Sequence, residues 1–265
     1  MRISLDDYEV IDAHTHPFLD FTTGCIGPYD TPKTMEEFDF EMKKVGISRY
    51  AGAPLCLNPK PGFSAITRIN ADALRIRDRF PSYIPGIHIH GGFPEESLDE
   101  LDRLYHNEEV RYIGELVPGI MHTGEVNSKG MISILREAGR LAMTVNICTG
   151  SRETVVPILE QCPGLQVIIA HPGEPWGGEE SSKARFKFVS EYEHLYMDIS
   201  GYGLFRWNML RYAIDLCGAE KLIFGSDMPT CSAGMYLYGL LCENLNDQEK
   251  RLILAGNFKR LLHME

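Results

Sequence analysis

Apolar and polar residues alternate along this chain in two different rhythms. Short apolar runs rich in Val, Ile and Tyr recur at 9–13, 48–53, 83–89, 110–116, 143–147, 165–170, 195–199 and 221–224. Such runs, bounded by turn residues, read as buried strands. Between them, over 34–45, 63–79, 95–105, 130–141, 152–161, 181–190 and 205–216, apolar positions recur at the three- and four-residue spacing of a helix with one buried face. Two more helical stretches, 234–242 and 247–262, follow the last run. Thr34 with Glu36 and Glu37 behind it, and Ser151 before Arg152-Glu153, are expected N-caps. Strands alternating with helices predict β-α units and a parallel sheet. Eight of them predict an α/β fold of the (β/α)8 TIM-barrel type, with room for distortion and with C-terminal helices. A doubly wound sheet is the alternative, but the segment after the first strand lacks its Gly-rich phosphate loop. Residues 1–265 hold no low-complexity linker and no repeat, and read as one domain.

In such a barrel the active site lies at the C-terminal ends of the strands. The first run ends in His14 and His16, the third in His88 and His90, and the fourth in Glu115. The fifth delivers Asn146 and Cys148, the sixth His171, the seventh Asp198 and Ser200, and the eighth Ser226 and Asp227. Buried ionisable groups are costly unless they are partnered, so a common site is expected. Alternate strand side chains share a face, which brings His14 and His16 together. Two imidazoles converging from one strand end can hold a divalent metal. His88 and His90 have the same spacing and could form a second metal pair or a polar lining. His90, nearer the strand end, is expected in the pocket. Trp176, Tyr202 and Arg206 follow strand ends in loops expected to roof the site. Arg206 could grip a substrate carboxylate with two hydrogen bonds.

The balance of 26 basic and 37 acidic residues gives a formal charge of −11. That argues against nucleic acid or an anionic membrane as the main partner and leaves a small-molecule substrate. Oligomeric state is open, a homo-oligomer included. No apolar run approaches the ~20 residues of a membrane span. The opening MRISLDDYEV lacks an apolar signal core, so a cytoplasmic location is expected. Seven cysteines, an odd number with no C-x-x-C pair, point to reduced thiols.

Four segments carry a resemblance to the amidohydrolase superfamily: Ile11-Asp12-Ala13-His14-Thr15-His16, the run from Val167 to Gly173 through His171-Pro172, Gly225-Ser226-Asp227-Met228-Pro229, and the terminal stretch from Ile253 to Leu262. The chain is similar to the amidohydrolase-related group that includes aminocarboxymuconate-semialdehyde decarboxylase and 2-pyrone-4,6-dicarboxylate lactonase. The resemblance implies one divalent ion, zinc, with His14 and His16 as ligands. It also implies that Asp227 binds the ion and shuttles protons, and that His171 is a ligand or polarises the substrate. The chain departs from the group at the fifth strand, where Cys148 stands in place of a metal-binding histidine. Cys148 could be a buried filler, a thiolate ligand or a nucleophile, and in any of these it borders the substrate. Gly114-Glu115 is similar to the bridging glutamate of TatD-like nucleases, and Glu115 could supply the missing ligand. Otherwise Glu115 would pair with an arginine such as Arg111. The expected activity is metal-dependent hydrolysis of an ester, lactone or amide in a small carboxylated molecule. Non-oxidative decarboxylation, metal-free lactone hydrolysis and a catalytically silent binding barrel stand as alternatives.

Overall fold

The computed structural model describes residues 5, 7–19, 29–57, 59–173, 181–201 and 206–265. Its strands are β1 (Ile11–Asp12), β2 (Arg49–Gly52), β3 (Tyr83–Ile87), β4 (Tyr112–Leu116), β5 (Thr144–Ile147), β6 (Gln166–Ile169), β7 (Leu195–Asp198) and β8 (Leu222–Ile223). They lie in sequence order, each parallel to the next. β8 returns to β1: the Ala13 N–H donates to Phe224 O at 2.9 Å, and the His16 N–H to Met228 O at 2.8 Å. Thr15 and Met228 form a parallel bridge above them. This closure makes a (β/α)8 barrel. It excludes the doubly wound sheet, in which the strand order reverses.

The helices are α1 (Met35–Lys44), α2 (Ser64–Arg79), α3 (Pro94–Glu108), α4 (Pro118–Met121), α5 (Lys129–Arg140), α6 (Arg152–Gln161), α7 (Ser182–Ser190), α8 (Met209–Cys217), α9 (Ala233–Cys242), α10 (Asp247–Arg251) and α11 (Asn257–Leu261). Among the α-helices of the described residues, only the single turn α4 has no counterpart in the sequence pattern. Thr34 caps α1 as expected, accepting from the Glu37 N–H at 3.2 Å. Ser151 stands at the N-cap of α6 in extended backbone, but its side chain makes no cap bond. None of the helices among the described residues is long and apolar enough to cross a membrane.

Strand alternation sorts the apolar side chains into two cores. Tyr50, Ile113, Val145, Val167 and Met197 face outward and pack with helix residues such as Phe38, Leu101, Ile134 and Ile158. Ile11, Ala51, Tyr112, Ile168, Tyr196 and Ile223 face inward and pack with Phe258, Leu261 and Leu262 from the C-terminal helix. That helix therefore seals the floor of the barrel and leaves the opposite end for the site. The expected single helix 247–262 contains a π-helical turn, Leu252–Gly256, between α10 and α11. The wider turn frees the Ile253 carbonyl, which accepts from the Phe224 N–H of the closing edge at 2.9 Å.

Candidate metal centre

The inner face of the barrel runs upward from the floor into the site. Tyr196 on β7 belongs to the inner core, and Asp198 and Ser200 continue its face. Ile223 leads in the same way to Asp227, and Thr144 to Asn146 and Cys148. Gly225 lets β8 approach β1, since a Cβ there would meet His14 Cβ at 2.7 Å. On β4 the alternation slips: the register with β5 shifts between Ile113 and Leu116, and Gly114 takes a φ of +98°. Glu115 is thereby turned inward. His171 and Asp227 have φ values of +65° and +64°. For residues other than glycine such backbone costs about 1–3 kcal/mol each and gathers at functional sites. Asp227 is held there by its N–H donating to His14 O at 2.8 Å and its C=O accepting from the Cys231 N–H at 3.0 Å.

Three imidazoles are oriented by their Nδ1 atoms. His14 Nδ1 is 2.9 Å from Asp198 Oδ2 and His16 Nδ1 is 3.1 Å from the Ala53 carbonyl oxygen. Both partners only accept, so each Nδ1 carries the hydrogen. Ser200 Oγ donates to Asp198 Oδ1 and lies 3.0 Å from Nδ1 of both His14 and His171. With its own hydrogen committed, it accepts from His171. The Nε2 atoms are left to face one another and two carboxylates. His14 Nε2 and His16 Nε2 are 3.3 Å apart. Glu115 Oε2 lies 3.4 Å from the first and 3.5 Å from the second. Asp227 Oδ1 lies 3.8 and 3.4 Å from them. His171 Nε2 is 3.5 Å from Glu115 Oε1. His14, His16, Glu115 and Asp227 are all buried.

The charge balance calls for a cation. Burial opposes protonation of His14, yet Asp198 and Glu115 hold its pKa well above the usual histidine value. Burial likewise opposes protonation of His16, but bonds to Asp227 and Glu115 raise it to about 9. Glu115, despite burial, is held well below the usual carboxylate range by His14 and its neighbours. Without an ion, protons on the imidazoles supply the positive charge.

A family model described as Amidohydrolase matches residues 11–264. The chain belongs to the amidohydrolase family. It is an enzyme. No curated protein matches it in sequence. Among solved structures it is similar to 2,6-dihydroxybenzoate decarboxylase from Rhizobium, with 16% identity over 97% of this chain and 99% of that one and a TM-score of 0.71. It is also similar to 5-carboxyvanillate decarboxylase from Novosphingobium aromaticivorans complexed with manganese and 4-hydroxy-3-methoxy-5-nitrobenzoic acid (14% identity, 99% of this chain, 98% of that one, TM-score 0.72). A third, an uncharacterized TIM-barrel protein from Bordetella bronchiseptica, has 18% identity over 96% of this chain and 98% of that one, with a TM-score of 0.73. At these identities the likeness concerns the fold.

The donors of this amidohydrolase fit a divalent ion. Neighbouring ligands of a tetrahedral ion at 2.0–2.2 Å lie roughly 3.3–3.6 Å apart, which the His14–His16, His14–Glu115, His16–Glu115 and His16–Asp227 separations match. Two donor sets share His14: one with His16 and Asp227, the other with Glu115 and His171. Glu115 Oε1 is buried without a hydrogen-bond partner, as an unused ligand atom would be. Carboxylate and carbonyl acceptors behind the imidazoles are the usual outer support of metal-ligating histidines.

The remaining candidates are dispersed. Cys148 sits in the mouth near Glu115; crowding by protein and then the Glu115, Asp227 and Asp198 charges push its thiol up, away from thiolate. His90 is half-buried, its Nδ1 accepting from the Gly92 N–H at 3.0 Å and its ring against Phe93. It does not join the cluster, and His88 bonds elsewhere, so the two form no metal pair. Arg111 bonds Tyr105 Oη at 2.9 Å and does not pair with Glu115. Arg206 is exposed and lines a groove of about 380 Å³ with Trp207 and Tyr236. The lining of that groove includes none of His14, His16, Glu115, His171 and Asp227. Trp176 and Tyr202 lie outside the described residues. Asp198, Ser200 and Asn146 received no role from the sequence, although Asp198 and Ser200 repeat the i, i+2 spacing of His14 and His16.

Proposed function

We propose that this amidohydrolase is a metal-dependent hydrolase of an ester, lactone or amide bond in a small, carboxylated molecule. One zinc ion would be held by His14, His16 and Asp227, with Glu115 or His171 completing the set. What carries the reading is the orientation of the imidazoles, each tied at Nδ1 and each turning Nε2 toward buried carboxylates. A divalent ion there supplies Lewis acidity toward a carbonyl and toward water. Asp227 takes the proton of the attacking water through its free carboxylate oxygen. His171, steadied by Ser200, donates a proton to the leaving group. Asp198 holds His14 in the tautomer that keeps the Nε2 lone pair available. Cys148 lines the pocket as a neutral thiol and does not attack the substrate. Arg206, on the groove beside Tyr236, meets the substrate carboxylate.

Non-oxidative decarboxylation is the second reading, favoured by the two decarboxylases of hydroxylated benzoates among the structural neighbours. In that case the same acid–base pair protonates a ring carbon as CO2 departs. The test is a panel of lactones, aryl esters, amides and hydroxybenzoates assayed with metal-stripped and zinc-restored protein. Zinc-dependent release of alcohol or amine, or opening of a lactone to its hydroxy acid, supports hydrolysis, and zinc-dependent release of CO2 replaces it with the second reading. Turnover that survives stripping would overturn both and favour the metal-free mechanism.

A further inference from the structure

One buried histidine takes no part in the chemistry above. His88, just past β3, is 1% exposed. Its backbone is clamped on both sides by Asn70 of α2: the His88 N–H donates to Asn70 Oδ1 at 2.8 Å, and Asn70 Nδ2 donates to His88 O at 3.1 Å. Asn70 is steadied in turn by Glu100 of α3 at 3.4 Å, which pairs with Arg103. His88 Nε2 lies 2.8 Å from the Pro54 carbonyl oxygen, while Nδ1 is buried with no hydrogen-bond partner. A carbonyl only accepts, so Nε2 carries the hydrogen and the ring is spent on this one bond.

The Pro54 carbonyl directly follows that of Ala53, which fixes His16 Nδ1. A residue before proline is confined to extended backbone, so the Ala53–Pro54 peptide is stiff. Anchoring Pro54 O therefore sets where Ala53 O points. We propose that His88, clamped by Asn70, is a positioning residue for His16, acting through the Ala53–Pro54 carbonyls. The proposal rests on the reading of His16 as a metal ligand. An apolar side chain of similar size would fill the space without a buried bare nitrogen. The imidazole is there for its donor.

The test uses the full chain, metal-stripped, with Co2+ as the probe. Co2+ affinity and the visible d–d bands are measured for wild type, His88→Leu and His88→Gln. In the zinc-loaded forms, 15N-histidine NMR follows the His16 Nδ1–H signal. His88→Leu is expected to bind Co2+ about tenfold more weakly, the lower end for loss of an outer support. It should also shift the d–d bands and lose the slowly exchanging His16 Nδ1–H signal. His88→Gln, whose amide N–H can reach Pro54 O, should restore all three. Wild-type binding with an unchanged His88→Leu profile overturns the proposal and leaves the metal reading intact. Failure of the wild type to bind Co2+ overturns the metal reading, and this proposal with it. Should His88→Leu not fold, the wild-type spectrum decides: a neutral His88 protonated at Nε2 supports the proposal, and any other state overturns it.

Discussion

Replacing Asp198 with asparagine changes one atom and should cost the centre much of its hold on metal. Five donors converge on this carboxylate. Oδ2 receives His14 Nδ1 at 2.9 Å and Asn146 Nδ2 at 2.8 Å. Oδ1 receives the Ser200 hydroxyl, the Ser200 N–H at 3.0 Å and the His171 N–H at 3.4 Å. An amide has only one accepting oxygen. With its oxygen toward His14, its NH2 confronts Ser200 and His171; reversed, the NH2 confronts His14 and Asn146. Either way buried donors lose their acceptor, at about 1–3 kcal/mol for each group stranded. Removing an outer partner of a ligating histidine weakens metal binding roughly 10- to 100-fold, which is about 1.4–2.8 kcal/mol. The two estimates agree in size, so the lost orientation of His14 accounts for the effect without unfolding. Competition against a chromophoric chelator measures the affinity, and circular dichroism checks that the variant is folded. A folded Asp198→Asn protein that binds zinc as tightly as the wild type would refute the assignment of Asp198 as the support of His14.

Asp227→Asn should lower turnover about 10²- to 10⁴-fold, the range for loss of a general base; the check is kcat on whichever substrate the panel identifies. Metal uptake should release protons. Without an ion the neighbouring carboxylates outweigh burial, raising the His16 pKa to about 9 and holding that of His14 well above the usual histidine value, which favours the protonated rings, whereas a metal needs their lone pairs. Affinity should therefore rise as pH rises toward about 9. Calorimetry in buffers of different ionisation enthalpy reads the proton release directly, and a buffer-independent heat would contradict it.

The fold was legible because apolar runs and helical periods alternate without interruption, and burial on both faces of a strand leaves a plain signature. His14 and His16 were legible from the two-residue period of a strand, and Asp227 from its place just beyond an apolar run. The support behind the ligands was not. Asp198 meets His14 across 184 positions of sequence, a contact that exists only because β8 closes onto β1. Glu115 itself was named from the end of the fourth run and from Gly114-Glu115; what a period count does not give is the slip at Gly114 that turns it inward. The π-helical turn at Leu252–Gly256 answers to the Phe224 N–H of the barrel's closing edge, a partner that local sequence does not reveal. His90 fits the same two-residue pattern as His16, yet its turn offers the Gly92 N–H nearer than the centre.

The most direct measurement is anomalous diffraction at the zinc edge from crystals of the zinc-loaded protein. A single strong peak bonded at about 2.0–2.2 Å to His14 Nε2, His16 Nε2 and an Asp227 oxygen is the predicted result. A zinc ion bound elsewhere on the molecule, or no peak between these three side chains at saturating zinc, would contradict it.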